Sequence, residues 1–363
     1  MPTRRTVLIV SAGMGAGHDA VAVELARRLA AEGVEAEIVD VLGLLPFRLG
    51  VALRGWYGWM MRSAPWLYAL IYRVFFVSDR APPTSPLTVM AAARLRGLIR
   101  RRMPAEVVST FHLAAQAVGH LRLRGRLPVP STVLLTDFAA HRLWLHPGND
   151  RYLCSDQATA RAVHAATGRP AFCHAPLVRP EFRRSGGDAT PVRSRIGARA
   201  GERLVLVSAG AWGVGGVEET ARVLARSGRY LPVVLCGHNR ELRHLLRHTG
   251  VALGWCDDMP DLMAAAYALV DNAAGLTCRE AMAAGVPVIS YRPIPGHGRD
   301  GALAMARAGL SVYAGDAGEL LAALDRLGCG AERTRRIARG VALFDAAPAE
   351  SFLVSVRHLA DER

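Results

Sequence analysis

The chain has 363 residues, 51% of them apolar and 21% charged, a balance that excludes disorder and a length that exceeds one ordinary core. Its 45 basic residues outnumber 31 acidic ones, for a net charge of +14, and all 45 are Arg, so no phosphate-loop lysine exists. The charge is lopsided, with 24 Arg against 12 acids in residues 1–185, 21 against 19 in 186–363, and 13 against 2 within 42–126, which predicts an anionic surface as partner of the first half.

In chain order, the first element is a buried-strand run at Val7–Val10; its short apolar stretch reads as a strand, not a secretory leader. The loop SAGMGAGHDA (11–20) follows, with Gly13, Gly15 and Gly17 at alternate positions. A helix is expected from about His18 to Ala31, with Val21, Leu25 and Leu29 at helical spacing. A strand at Glu35–Asp40 completes a βαβ start and hence a parallel sheet. The loop meets GxGxxG only in part: Gly13 and Gly15 fit, the third glycine is missing, and Asp40 stands where a ribose acid would sit in a dinucleotide binder. What the loop does provide is a tight turn that sets His18 at a helix N-terminus, which disfavours a protonated ring; a neutral imidazole can accept a proton. A plain helix cap is the competing reading of His18.

Residues 42–76 do not fit an α/β scaffold. Arg48, Arg54, Arg62 and Arg73 interrupt them, leaving no run near the ~20 apolar residues that a bilayer span needs. Trp56, Tyr57, Trp59, Trp66, Tyr68 and Tyr72 among those arginines match an interfacial segment lying flat at headgroup depth. The basic stretch ARLRGLIRRRM (93–103) suits acidic lipid heads. An ordinary core helix pair with solvated arginines is the alternative. Nucleic acid is not expected, because no groove-reading motif or stacking platform appears.

Strands follow at Val107–Ser109 and Thr132–Thr136. The stretch SGGDATP (185–191) is the expected domain junction. Beyond it the opening pattern recurs: RLVLVSAGAWGVGG (203–216) echoes RTVLIVSAGMGAG (5–17). Strands are expected at Val233–Cys236, Val251–Gly254, Ala268–Val270 and Val286–Ser290. The six cysteines, Cys154, Cys173, Cys236, Cys256, Cys278 and Cys329, form no CxxC pair or zinc spacing and read as reduced thiols.

The block 254–298 carries the second chemistry. Val270–Asn272 runs through Ala273-Ala274-Gly275 into a helix opening at Leu276–Thr277, where amides and the Thr277 hydroxyl make an anion site suited to a diphosphate. Glu280, one turn on, can accept two hydrogen bonds from a ribose diol, and Gly254-Trp255 ends a strand and can offer backbone groups to a base edge. Together these point to a nucleotide sugar.

SAGMGAGHDA, TDFAAHRLWLHPGND (136–150) and the 254–298 block resemble a GT-B glycosyltransferase, family 28-like. The group contains monogalactosyldiacylglycerol synthases and processive diacylglycerol glucosyltransferases; the peptidoglycan lipid N-acetylglucosaminyltransferase is more distant. The resemblance covers nearly the whole chain. It implies α/β architecture with two Rossmann-like domains facing across a cleft, the first taking a lipid acceptor and the second a UDP-sugar. The implied division is 1–185, with an interfacial insertion at about 42–103, then 186–340, then a 341–363 helix crossing back, with SFLVSVRHLA (351–360) as its core. It implies an inverting hexosyl transfer to diacylglycerol or a similar lipid, with no metal or other cofactor, at an anionic membrane surface on the cytoplasmic face. By position, Gly13, Gly15, Gly17 and His18 match the acceptor loop and Asp137 the TD pair, as runner-up base or orienter of His18. Gly210 falls in the phosphate-side loop, Gly254, Trp255 and Met259 at the base, Gly275, Leu276 and Thr277 at the diphosphate turn, and Glu280 at the ribose. The family's PGQEEGN is PGHGRDG here (295–301), so His297 stands for Gln and Gly301 for Asn; Ala274 stands where a second glycine is common. These departures bear on the donor sugar. Competing expectations are a soluble natural-product glycosyltransferase, a UDP-sugar 2-epimerase, and a non-catalytic nucleotide-sugar binder.

Overall fold

The computed structural model describes residues 6–78, 84–183 and 189–354. The chain divides into two units, Met1–Tyr57 with Leu70–Leu177 and Asp345–Arg363, and Gly58–Ala69 with Val178–Phe344.

The first unit is built on strands β1 (Thr6–Ser11), β2 (Glu35–Asp40), β3 (Glu106–Ser109), β4 (Ser131–Leu134), β5 (Arg151–Cys154) and β6 (Ala171–Cys173). They form one parallel sheet in the order β2-β1-β3-β4-β5-β6. The helices are α1 (Ala16–Ala31), α2 (Leu49–Ser63), α3 (Pro65–Ile71), α4 (Pro86–Arg102), α5 (His112–Leu123) and α6 (Gln157–Thr167). The four-residue β3 is wholly buried, as a strand covered by helices on both faces must be. One core side joins Leu8, Val10, Leu95, Ile99, Val107 and Val118 under α4 and α5.

The second unit repeats the plan. It comprises α7 (Thr190–Arg195), β7 (Arg203–Ser208), α8 (Val217–Arg226), β8 (Tyr230–Leu235), α9 (Arg240–Leu245), β9 (Val251–Leu253), α10 (Met259–Ala265), β10 (Ala268–Asp271), α11 (Leu276–Ala283), β11 (Val288–Tyr291), α12 (His297–Arg307), β12 (Ser311–Ala314), α13 (Ala317–Arg326) and α14 (Gly330–Val341). Its parallel sheet runs β12-β11-β10-β7-β8-β9. The two sequence stretches that echo one another therefore open equivalent units: β1 and β7 each sit between two neighbours and each feeds a glycine-bearing loop. Strands β5, β6 and β12 have no counterpart among the sequence expectations, because three or four residues of mixed polarity leave little period to read.

The unit boundary lies at Leu177 and Val178, ahead of the SGGDATP stretch, of which residues 185–188 lie outside the described residues. A local pairing explains it. Ala175 forms a parallel bridge with Pro348 and its amide bonds the Ala347 carbonyl, so the chain leaves and re-enters the first unit side by side. The last helix, α15 (Ala349–Val354), then rests on that unit through Phe352 stacked on Phe172 and Glu350 near Arg28. Of the expected 351–360 helix, residues 355–360 lie outside the described residues.

Candidate active site

In the first unit the glycine loop leads from β1 into α1, with Gly15 as N-cap in extended conformation and open space where its Cβ would be. At Gly13 a Cβ would lie 2.5 Å from the Arg54 Nη2, because that guanidinium of α2 passes directly over the loop. Arg54 is held there by Asp40, at 2.6 Å, while the other Asp40 oxygen accepts from the Leu42 amide. Asp40 thus braces α2 against the loop, which replaces the ribose-acid reading of that residue.

His18 sits in the first turn of α1. Its Nδ1 is 3.1 Å from the Thr110 carbonyl and 2.8 Å from the Thr136 hydroxyl. A carbonyl only accepts, so the neutral ring keeps its proton on Nδ1 and Nε2 carries the basic lone pair. The ring packs edge-on to Phe111, centroids 5.0 Å apart, and lies 6.4 Å from Trp144. The Asp137 carboxylate accepts from the Trp144 indole at 2.7 Å, and His141 Nε2 lies 3.7 Å from the same oxygen. Trp144 is fully buried, in a short helical turn that the Gln116 amide ties down at the Leu143 carbonyl. His112, His141, Phe76 and Tyr72 complete an aromatic wall beside Trp144. Both threonines meet the His18 ring at Nδ1.

In the second unit three loops meet beyond the carboxyl ends of β7, β10 and β11, where parallel sheets bind ligands. The loop after β7 begins at Gly210, whose φ of 64° suits glycine. It is cross-braced: the Asn239 side chain donates to the Gly213 carbonyl and Asn272 to the Val214 carbonyl. After β10, the buried Asp271 carboxylate accepts from the amides of Ala273 and Ala274, at 2.8 and 2.6 Å. Burial pushes its pKa up, against those bonds. Ala274 is forced to a φ of 52°, the left-handed conformation for which glycine is the usual residue. Gly275 then caps α11, with open space where its Cβ would be, so the Leu276 and Thr277 amides at the helix start have an unfilled cradle before them.

Glu280, one turn into α11, has its carboxyl pushed up to about 7 by burial, with Arg179 opposing the shift. Trp255, half exposed, lies flat on His238 with centroids 4.6 Å apart, and its indole donates to Asp257. Met259 opens α10 one residue after Asp258, which pairs with Arg195. His297 opens α12; its Nδ1 is 2.5 Å from the Tyr68 hydroxyl, and the two rings meet edge to face. Tyr68 comes from the 58–69 segment that belongs to this unit; there too, a Cβ at Gly58 would lie 2.7 Å from the Trp212 ring. Among the described residues no group of three or more His, Cys, Asp or Glu side chains could hold a metal ion.

The described residues of the 42–103 region are largely helical, over 46–63, 65–77 and 86–102. Met60, Met61, Tyr68 and Tyr72 are buried, whereas Trp56, Trp59, Trp66 and Phe75 are exposed, Trp66 to 68%. Arg48, Arg62, Arg73, Arg94, Arg100, Arg101 and Arg102 of the same stretch are exposed as well. No helix among the described residues is long and apolar enough to cross a membrane. Sequence reading missed Thr110, Thr136 and Trp144, which hold the candidate acidic and basic groups, as well as Arg54 and Tyr68. Thr136 and Trp144 lie within a stretch already singled out; Thr110 has no local signal, since it reaches His18 only through the β1–β3 pairing.

A family model described as monogalactosyldiacylglycerol (MGDG) synthase matches residues 18–169. The processive diacylglycerol beta-glucosyltransferase of Bacillus cereus is 27% identical over 345 residues, spanning 88% of this chain and 85% of its own. That of Bacillus subtilis is 25% identical over 332 residues, 83% and 81% of the two chains. Among solved structures, the glycosyltransferase SnogD from Streptomyces nogalater superposes with a TM-score of 0.63 at 18% identity, covering 99% of this chain and 100% of that one. Anabaena Alr3699/HepE in complex with UDP-glucose gives 0.58 at 13%, covering 99% and 100%, and Acinetobacter baumannii MurG gives 0.56 at 15%, covering 98% of each. These likenesses establish the fold, two Rossmann-like units as in the GT-B glycosyltransferases.

Proposed function

We propose that this chain, which resembles diacylglycerol glycosyltransferases in sequence and GT-B glycosyltransferases in fold, transfers a hexose from a UDP-sugar to a lipid hydroxyl, diacylglycerol or a close relative. The observation that carries the proposal is the fixed tautomer of His18: with Nδ1 committed to Thr110, Nε2 is a general base. The acceptor oxygen, losing its proton to Nε2, attacks the anomeric carbon. The bond from that carbon to the diphosphate oxygen breaks, its electron pair leaves with UDP, and the configuration inverts. Asp137 is the alternative base, or acts through the imidazole; its carboxylate is oriented by Trp144.

The donor is held by the second unit. The amides of Gly275, Leu276 and Thr277 and the loop at Gly210 take the diphosphate. Glu280 takes the ribose, Gly254, Trp255 and Met259 the base, and His297 faces the hexose. Gly13, Gly15 and Gly17 line the acceptor side. No cofactor beyond the donor is needed. The exposed tryptophans among arginines support reversible docking on an anionic membrane surface, the inner face of the cell membrane; each basic residue there contributes about 1 kcal/mol. A panel of UDP-sugars with extracted lipid, read by mass spectrometry, tests the proposal. A glycosylated lipid supports it; glycosylation confined to water-soluble acceptors, or UDP-sugar isomerisation without acceptor, refutes it.

A further inference from the structure

The geometry points to Arg292 as the cation that meets the donor's diphosphate, an inference that rests on the donor site proposed above. Arg292 follows β11 directly and adopts a φ of 48°, a left-handed conformation that a side-chain-bearing residue takes at a cost and that clusters at functional sites. Its guanidinium crosses the phosphate-side loop: a Cβ at Gly216 would lie 2.8 Å from Arg292 Nε. Other arginines of the fold, such as Arg54, Arg122, Arg151, Arg195 and Arg229, pair with carboxylates. Arg292 is exposed and shows no acidic partner among the described residues; its guanidinium also lies over the ring of its neighbour Tyr291.

The surroundings converge on the same spot. Asn272 ties the three loops together: its side chain donates to the Val214 carbonyl and its own carbonyl accepts from the Ile294 amide. Its side-chain oxygen Oδ1 is buried and has no hydrogen-bond partner among the described residues, an acceptor left over at the junction. Gly215 is pressed on Asn272 as Gly216 is on Arg292. A loop of close-packed glycines, an unsatisfied buried acceptor and an uncompensated cation in strained backbone form a place built for an anion that brings hydrogen-bond donors with it. A nucleoside diphosphate sugar has both. In the reaction Arg292 moves no proton; it stabilises the electron pair that arrives on the diphosphate oxygen when the anomeric bond breaks.

Calorimetric titration of the full chain with UDP, UMP and uridine tests this. Arg292→Gln is expected to weaken UDP ~10–100-fold, the range of a lost charge-assisted bond, to weaken UMP less, and to leave uridine unchanged. Arg292→Lys should recover part of the loss. Arg292→Gly relaxes the positive φ, so it keeps the fold yet should lose UDP as the Gln variant does, and Gly216→Ala, which pushes the guanidinium aside, should act in the same direction. Unchanged UDP affinity in the Gln and Gly variants, or an equal loss for uridine, overturns the role of Arg292 alone. If the unaltered chain binds no UDP, the donor site itself is refuted.

Discussion

Replacing Glu280 with Gln separates the cost of holding a carboxylate in the donor site from its use. The carboxyl is shifted from 4.5 to about 7 because burial disfavours its charge. The unfolded chain ionises near 4.5 and the folded one near 7, so the folded state holds the extra proton in between. The destabilisation is therefore absent below about pH 4.5, grows as pH rises to 7, and is complete above it. A shift of that size corresponds to about 3 kcal/mol of stability forgone at pH 8, an order-of-magnitude figure. Glu280→Gln should accordingly raise the melting temperature of the nucleotide-free protein at pH 8 and leave it nearly unchanged at pH 4.5. The same variant should weaken UDP ~10–100-fold at pH 8, because a ribose diol loses an ionised acceptor. In the unaltered protein, one pH unit below the carboxyl's pKa leaves about a tenth of it ionised, so UDP affinity should fall about tenfold from pH 8 to pH 6 beyond the change that the Gln variant shows. Differential scanning fluorimetry over pH 4.5–8.5 and calorimetric titration over pH 5.5–8.5 read both effects. A Gln variant that is no more stable at pH 8, and whose UDP affinity and pH slope match the parent, would refute the assignment of Glu280 to the ribose.

Three further outcomes follow from the same geometry. His18→Ala should cut turnover ~10²–10⁴-fold with UDP affinity kept, measured by initial rates and titration; loss of UDP affinity would move the acceptor loop to the donor side. Ala274→Gly removes a left-handed alanine that costs about 1–2 kcal/mol, less the ~0.5–1 kcal/mol that glycine's extra freedom in the unfolded chain takes back; a net rise in stability of up to ~1.5 kcal/mol is expected in denaturant titration, and a fall would mean that the Ala274 methyl packs better than its backbone strains. Trp59→Ser with Trp66→Ser should lower recovery on anionic vesicles in flotation by several-fold without lowering the melting temperature, and equal recovery of the parent on neutral and anionic vesicles would remove the electrostatic part.

Local pattern was enough for the strand, glycine loop and helix that open each unit, because buried parallel strands are continuous apolar runs and the loops between strand and helix need glycine at fixed places. It was also enough for the strand at Ala268 and the helix that opens at Leu276 in the 254–298 block, which lie close in sequence on consecutive elements. The amphipathic character of residues 42–103 was legible as a mixture of aromatics and arginines, although which ring faces inward was not: Tyr68 is buried and Trp66, two positions away, is not.

Only the tertiary structure decided the partners. His18 acquires its tautomer from Thr110 and Thr136, 92 and 118 residues away. Arg54 reaches the glycine loop from a helix that no periodicity ties to it, and Tyr68 finds His297 across 229 residues. Arg292 reads as a loop arginine until the fold lays it across Gly216. Sequence specifies which elements form because apolar period and backbone preference act over a few residues. Which side chains share a proton, a charge or a ligand depends on strand order, and that is set by burial summed over a whole sheet.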